Sequence, residues 1–156
     1  MSYPKAQKAK DLFLSGYNCA QAVLCAFCTE GNLTEEAAVR LASSFGGGMG
    51  RLREVCGAVS GMFMAAGLLY ASEDPKEISN KTTHYERIQA LANDFKAENG
   101  SIVCRALLGL PEGHQSPQPA PRTADYYKKR PCAELVYCAA KILEDYIKAH
   151  PPVRKI

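Results

Sequence analysis

Apolar residues recur along this chain every three or four positions, which is the spacing of one face of an α-helix. The clearest stripe lies near the end of the chain and consists of Leu135, Val136, Ala139, Ile142, Leu143 and Tyr146. Shorter stripes occupy residues 4–14, 19–29, 34–45 and 88–95. No segment shows the two-residue alternation of a half-buried strand. The pattern therefore predicts an all-α fold, a bundle of about six to seven helices.

A stretch rich in glycine and alanine, residues 45–69, organises this predicted bundle. Gly57, Gly61 and Ala65 recur every four residues within its apolar part. Glycine inside a helix costs about 1 kcal/mol relative to alanine, so it usually marks a place where another backbone comes close. We therefore expect a central helix from about Cys56 onwards, with neighbouring helices packed tightly against it.

Capping residues and breakers predict where the other helices begin. Pro4 opens the first helix, and Asn18 caps the second so that Cys19 is its first residue.

In the second half of the chain, Asp74 and Pro75 predict the start of a helix that continues to Asn99. Ser101 is predicted to cap a short helix that contains Cys104 and ends at Gly109. Pro131 opens the last helix, which runs to about Ala149. The eleven residues 111–121 include four prolines, so 111–122 is predicted to be a surface loop within a single domain spanning residues 1–156.

Composition and charge narrow the class of protein. The chain of 156 residues is 47% apolar and 22% charged, and its formal net charge is +3. Its basic residues are scattered rather than concentrated, which does not favour a nucleic-acid-binding face. The N-terminal residues lack the apolar segment of a signal peptide, and the run from Val55 to Ala71 is short for a membrane span. We expect a cytoplasmic protein with no membrane-spanning helix.

Seven cysteines supply the candidate chemistry, an odd number and too few for a disulfide scaffold in a chain of this length. Four of them fall in the first turn of a predicted helix, namely Cys19, Cys56, Cys104 and Cys132. At a helix start, unsatisfied N–H groups and the helix dipole favour an anion, which stabilises a thiolate. Thiolates attack disulfides and bind metals, so four such starts converging on one place would form a redox site or a metal site.

The remaining candidate motifs give weaker indications of function. Cys25 and Cys28 form a CxxC, but it lies within a helix and away from any strand, so both are predicted to be packing residues. Cys138 is also predicted to be a core residue. The loop 46–51, GGGMGR, lacks the GK[ST] ending of a phosphate-binding loop and is interpreted as a close approach to the redox centre. His84, His114 and His150 receive no role.

Four cysteine-containing blocks give the chain a family resemblance: NCAQAVL at 18–24, FGGGMGRLREVCGAVSG at 45–61, CRALLG at 104–109 and CAELV at 132–136. In this order they resemble the redox-active protein family named for its C_GCAxxG_C_C pattern. The family's cysteines then fall on Cys19, Cys56, Cys104 and Cys132. The central block reads CGAVSG here rather than GCAxxG. The pattern is also similar to the helical part of split-Soret cytochromes, but haem-attachment motifs are lacking.

Three hypotheses follow. In the first, the protein is a thiol–disulfide oxidoreductase or redox-responsive protein with a thiol or disulfide redox partner. A low-pKa thiolate at Cys56 or Cys19 attacks a disulfide, and a second cysteine resolves the mixed disulfide. In the second, the same four cysteines bind an iron–sulfur cluster or zinc; no cofactor is otherwise implied. In the third, the cysteines are core residues of a helical homodimer that packs through Gly57 and Gly61. The sequence leaves the cysteine pairing open.

Overall fold

A computed structural model describes residues 2–152 of the chain. These residues form eight helices: α1 Pro4–Leu14, α2 Cys19–Phe27, α3 Glu35–Ala42, α4 Gly57–Tyr70, α5 Ile78–Asn99, α6 Cys104–Leu108, α7 Ala124–Lys129 and α8 Cys132–Ala149. The described residues contain no β-sheet, only an isolated antiparallel bridge between Val55 and Val103. The predicted all-α class is confirmed.

Helix α4 packs against α2 at van der Waals distance through its glycines. A Cβ atom built on Gly61 would lie 2.7 Å from the carbonyl oxygen of Ala20, and one built on Gly57 would lie 3.0 Å from the Cβ of Cys19. Only glycine fits these positions without a shift of the backbone. The tight approach predicted from the glycine spacing is confirmed. Because α2 of the same chain covers this face, the face is not free to pack a second subunit.

Helices α1, α2, α4 and α8 share the main hydrophobic core. One large side chain from each helix is fully buried in this core: Phe13 of α1, Phe27 of α2, Met62 of α4 and Leu143 of α8. The buried backbone N–H of Ala6 donates to the Glu144 carboxylate over 2.7 Å, which fixes α1 against α8. This core holds the starts of α2, α4 and α8 at one end of the bundle.

Several helix boundaries differ from the predicted ones. The helix predicted at Pro75 begins instead at Ile78, because the Asp74 side chain accepts a hydrogen bond from the backbone N–H of Lys76 and closes a turn. Ser101 closes a similar turn onto Val103 and does not cap α6. Helix α7 was not predicted, although Thr123 caps it and Asp125 occupies its first turn.

The central apolar stretch forms α4, which has fourteen residues. No helix among residues 2–152 combines the length and the apolar character needed to cross a bilayer.

Candidate functional site

The four predicted cysteines line one cavity of about 300 Å³. Cys19, Cys104 and Cys132 are the first residues of α2, α6 and α8, and Cys56 is the N-cap of α4. Their placement at four helix starts is as predicted. The fold therefore brings together in space four thiols that are spread over more than one hundred residues of sequence.

Local hydrogen bonds hold three of these four cysteines in place. The Asn18 side chain accepts from the backbone N–H of Gln21 over 2.8 Å, and the Gln21 side chain accepts from the N–H of Asn18, which fixes Cys19 at the start of α2. At the antiparallel bridge, the N–H of Cys56 donates to Ile102 over 2.8 Å and the N–H of Cys104 donates to Glu54 over 2.6 Å. The bridge thus holds the starts of α4 and α6 side by side.

The glycine loop 46–50 forms a wall of the cavity, next to Cys104. Gly48 has a φ of +70°, and a Cβ atom there would lie 2.6 Å from the Cβ of Cys104. Only glycine satisfies both conditions. The close approach of this loop to the cysteines, inferred from its sequence, is what the structure shows.

The cavity encloses the sulfur atoms of its cysteines. Cys56, Cys104 and Cys132 are 4%, 7% and 8% exposed, and Cys19 is half-buried. Cys25 and Cys28 are buried in the core away from the cavity, as predicted.

Cys138, predicted to be a core residue, is half-buried and packs against the edge of the core. Its thiol donates to the Glu98 carboxylate over 2.9 Å at the surface of the bundle.

Cys19 and Cys132 interact directly within the cavity. The Cys19 thiol donates a hydrogen bond to the Cys132 sulfur, and this contact is the largest of the effects that lower the pKa of Cys132 to about 7. Burial acts in the opposite direction, whereas the positive charges of Arg130, Arg122 and Arg53 lower the pKa further. The same hydrogen bond raises the pKa of Cys19 well above its ordinary value.

The expectation that Cys56 or Cys19 provides the most acidic thiol is therefore wrong. Burial raises the pKa of Cys56 to about 12, even though the backbone N–H groups of Ala58 and Val59 favour its thiolate. Desolvation outweighs the helix start at this position. The structure instead identifies Cys132 as the thiol whose pKa lies near neutral pH.

Four arginines line the same cavity, and sequence reasoning missed all of them: Arg51, Arg53, Arg122 and Arg130. The described lining residues include no carboxylate and no histidine. Arg51 and Arg53 follow the glycine loop in the family-like block, so their proximity to Cys56 along the chain was the available signal. Nothing local indicated Arg122, which lies beyond the proline-rich loop.

Arg53 is the most unusual of these residues because its guanidinium group is buried with few partners. The residue is 3% exposed, and Nη1 contacts the Cys104 sulfur at 3.6 Å. Its Nε and Nη2 atoms have no hydrogen-bond partner. Its backbone φ of +63° lies in the left-handed region, a conformation that costs roughly 1–3 kcal/mol for a residue other than glycine.

The cysteines do not form a metal-binding group in this arrangement. Among residues 2–152, no three His, Cys, Asp or Glu side chains are grouped so that they could hold one metal ion. The thiols thus share a cavity without forming the ligand set of a zinc ion or a cluster.

These features define an all-helical protein with a cysteine cluster at converging helix starts. The family model described as "Putative redox-active protein (C_GCAxxG_C_C)" matches residues 17–146, a segment that includes all four cavity cysteines. The chain belongs to this family. Comparison with curated proteins and with solved structures gave no match.

Proposed function

We propose that this protein is a thiol–disulfide redox protein in which Cys132 and Cys19 form the reactive pair. The observation that carries the proposal is that four thiols at helix starts line one cavity, in which the pKa of Cys132 is lowered through its partner Cys19 and the nearby arginines. A lowered pKa increases the fraction of Cys132 that is present near neutral pH as the thiolate, the form that attacks disulfides. Membership of a redox-active family supports the same reaction class.

The reaction is written as reduction of a substrate disulfide. The Cys132 thiolate attacks one substrate sulfur, forms a mixed disulfide and releases the first substrate thiolate. The Cys19 thiol, giving its proton to that thiolate, then attacks the Cys132 sulfur. The Cys19–Cys132 disulfide forms and the second substrate thiolate leaves. Two electrons pass from the dithiol to the substrate, and a thiol partner of the reducing cytoplasm restores the pair.

Cys56 and Cys104 are proposed as a second dithiol of the same cavity. The bridge beside them aligns the two chain segments that carry them. Thiol–disulfide exchange with the first pair would pass the oxidised state to Cys56 and Cys104, conserving electrons because one disulfide replaces another.

Single substitutions test the order of attack. Reduced protein is mixed with bis(2-hydroxyethyl) disulfide at pH 7, quenched with acid and analysed by intact mass and peptide mapping. We expect wild type to form an internal disulfide. Cys19→Ser should stall as a mixed disulfide on Cys132, and Cys132→Ser should react roughly tenfold more slowly because the acidic thiol is gone.

Cys138→Ser is the matched control, because Cys138 lies outside the cavity and contacts Glu98. This variant should react like wild type. If Cys132→Ser formed its disulfide as fast as wild type, the assignment of Cys132 as the attacking thiol would be withdrawn.

An iron–sulfur or zinc protein is the second candidate, favoured by the presence of four cysteines on one cavity. It requires the thiols to move together, since no three of the described ligand-type side chains are grouped around a metal position. Native mass spectrometry of protein purified without oxygen distinguishes the two functions. Added mass matching zinc, or iron and sulfide, that is lost in Cys56→Ser would support this second candidate.

A further inference from the structure

We propose that the cavity binds a small, doubly charged anion beside the cysteines, so that the redox partner is a low-molecular-weight anionic disulfide rather than a disulfide of another protein. This inference rests on the proposed thiol–disulfide function and adds the class of substrate. It is carried by the size of the cavity, the charge of its lining and the unsatisfied guanidinium group of Arg53.

The enclosure of the thiols excludes a bulky partner. The attacking residue Cys132 is 8% exposed, and the cavity around it has a volume of about 300 Å³, at the small end of the range for small-molecule sites. In-line attack requires the partner sulfur to reach the Cys132 sulfur. A disulfide embedded in a folded protein cannot enter such a space, whereas a short-chain disulfide can.

The lining carries an excess of positive charge. None of Arg51, Arg53, Arg122 and Arg130 forms an ion pair with a described carboxylate. The Cys132 thiolate supplies one negative charge, and even a second thiolate would leave two guanidinium charges uncompensated. Clefts lined by one sign of charge concentrate ligands of the opposite sign and raise their association rates roughly ten- to a thousandfold.

The guanidinium groups are held together despite their repulsion. The pKa of Arg51 is lowered first by burial and then by the charges of Arg53 and Arg130. Arg51 is anchored through Nε to the carbonyl of Ser116 over 2.7 Å. The Arg130 guanidinium lies over the Tyr126 ring, 5.3 Å from its centroid. Packing therefore maintains an arrangement that an anion would stabilise.

Arg53 provides the independent sign of a ligand. Its guanidinium group is buried at the cavity wall, and two of its nitrogen atoms lack any acceptor. Leaving a buried charged donor unsatisfied is costly, so such a group in a native structure calls for an explanation, and a bound ion is one of those recognised. A carboxylate or sulfonate oxygen of the bound anion would supply the missing acceptors.

A series of three short, symmetrical disulfides of different charge tests the charge of the substrate. 3,3′-Dithiodipropionate is a dianion, bis(2-hydroxyethyl) disulfide is neutral and cystamine is a dication. Each rate of reaction with reduced wild-type protein is divided by the rate with free 2-mercaptoethanol at the same pH, which removes intrinsic reactivity. We expect the normalised rate of the dianion to exceed that of the neutral disulfide at least about tenfold, and the advantage to shrink with added salt.

Arginine variants test which residues cause the preference for the dianionic disulfide. Arg51→Gln and Arg130→Gln, at partly exposed positions, should each reduce the ratio of dianion to neutral rate several-fold, even if both absolute rates change. Arg40→Gln is the matched control, because Arg40 is exposed on α3 and outside the cavity. Equal normalised rates for the dianion and the neutral disulfide in wild type would overturn the inference.

A binding measurement separates this inference from the proposed function. Suberate has the length and charge of 3,3′-dithiodipropionate but carries no disulfide, so its binding to Cys132→Ser can be followed by titration calorimetry. We expect suberate to bind Cys132→Ser and Arg40→Gln and to lose affinity for Arg130→Gln. Suberate binding without reduction of any disulfide would defeat the redox function alone, whereas disulfide reduction without suberate binding would defeat the anion site alone.

Discussion

At the scale of single residues, the acidity of a thiol in this protein depends on its immediate partner more than on its place in a helix. Cys56 and Cys132 both lie at helix starts, yet burial raises the pKa of Cys56 to about 12 while that of Cys132 is lowered to about 7. The difference is the hydrogen bond from Cys19, together with the nearby arginines. The helix start is shared and therefore cannot select the reactive cysteine.

Replacing Cys19 should move the titration of Cys132. In Cys19→Ala the donated hydrogen bond is lost, so the pKa of Cys132 should rise from about 7 towards the ordinary value for a thiol. The rate of iodoacetamide alkylation at Cys132, followed between pH 5 and 10 by peptide mass spectrometry, reports this pKa because only the thiolate reacts. The midpoint should shift to higher pH.

Two further variants make this experiment decisive. Cys19→Ser retains a hydroxyl donor and should restore part of the shift, whereas Cys138→Ala should leave the midpoint of wild type unchanged. A wild-type midpoint in Cys19→Ala would mean that the arginines alone set the pKa of Cys132.

At the scale of helices, the sequence predicted the elements that local chemistry determines. Pro4, the Asn18 cap and the Gly109 stop each lie where a helix begins or ends. The prediction failed at Pro75, where the Asp74 side chain satisfies a backbone N–H in a turn instead of opening a helix. It also missed α7, whose six residues are too few to show a helical stripe.

Substitution by alanine should change the free energy of unfolding in opposite directions at Gly61 and Gly67, although both residues lie in α4. A Cβ atom at Gly61 would meet the Ala20 carbonyl oxygen at 2.7 Å, whereas one at Gly67 would meet nothing within 4 Å. Gly61→Ala should lower the free energy of unfolding by about 1–3 kcal/mol through overpacking. Gly67→Ala should raise it by about 0.5–1 kcal/mol, because alanine is the better helix former.

Urea unfolding of the two variants measures both effects. Each variant serves as the control for the other, since the residue change and the helix are the same. Equal changes in the free energy of unfolding would contradict the tight contact between α2 and α4.

At the scale of the whole molecule, the cavity is assembled from segments that no local pattern connects. The four cysteines were found because each falls in the first turn of a predicted helix. The arginines were not, because the contribution of Arg122 depends on the path of a proline-rich loop, and its guanidinium is fixed by the carbonyl oxygens of Phe13 and Tyr17. The sequence thus predicts the thiols of the candidate site and misses the charge around them.

The buried thiols of the whole fold should make its stability depend on pH in two directions. The pKa of Cys132 is lowered from the ordinary thiol value of 9.0 to about 7 in the folded protein. The ionised thiol therefore stabilises the fold at a pH above 9, and this stabilisation is lost as the pH falls through 7. Cys25 and Cys56 have pKa values raised to about 12 by burial. Above pH 9 their unfolded thiols release protons that the folded state retains, so the free energy of unfolding falls as the pH rises.

Urea unfolding at pH 9, 10 and 11 should show this alkaline loss of stability. Each protonated buried thiol contributes a slope of up to about 1.4 kcal/mol per pH unit between its unfolded and folded pKa values. Cys25→Ala should be less stable than wild type at pH 9, because it loses a buried sulfur. Its free energy of unfolding should fall less steeply with pH, because the slope contributed by the Cys25 thiol is absent. If the free energy of unfolding fell equally steeply in the two proteins, Cys25 would ionise as readily in the folded state as in the unfolded chain. The burial of Cys25 in the core argues against that outcome.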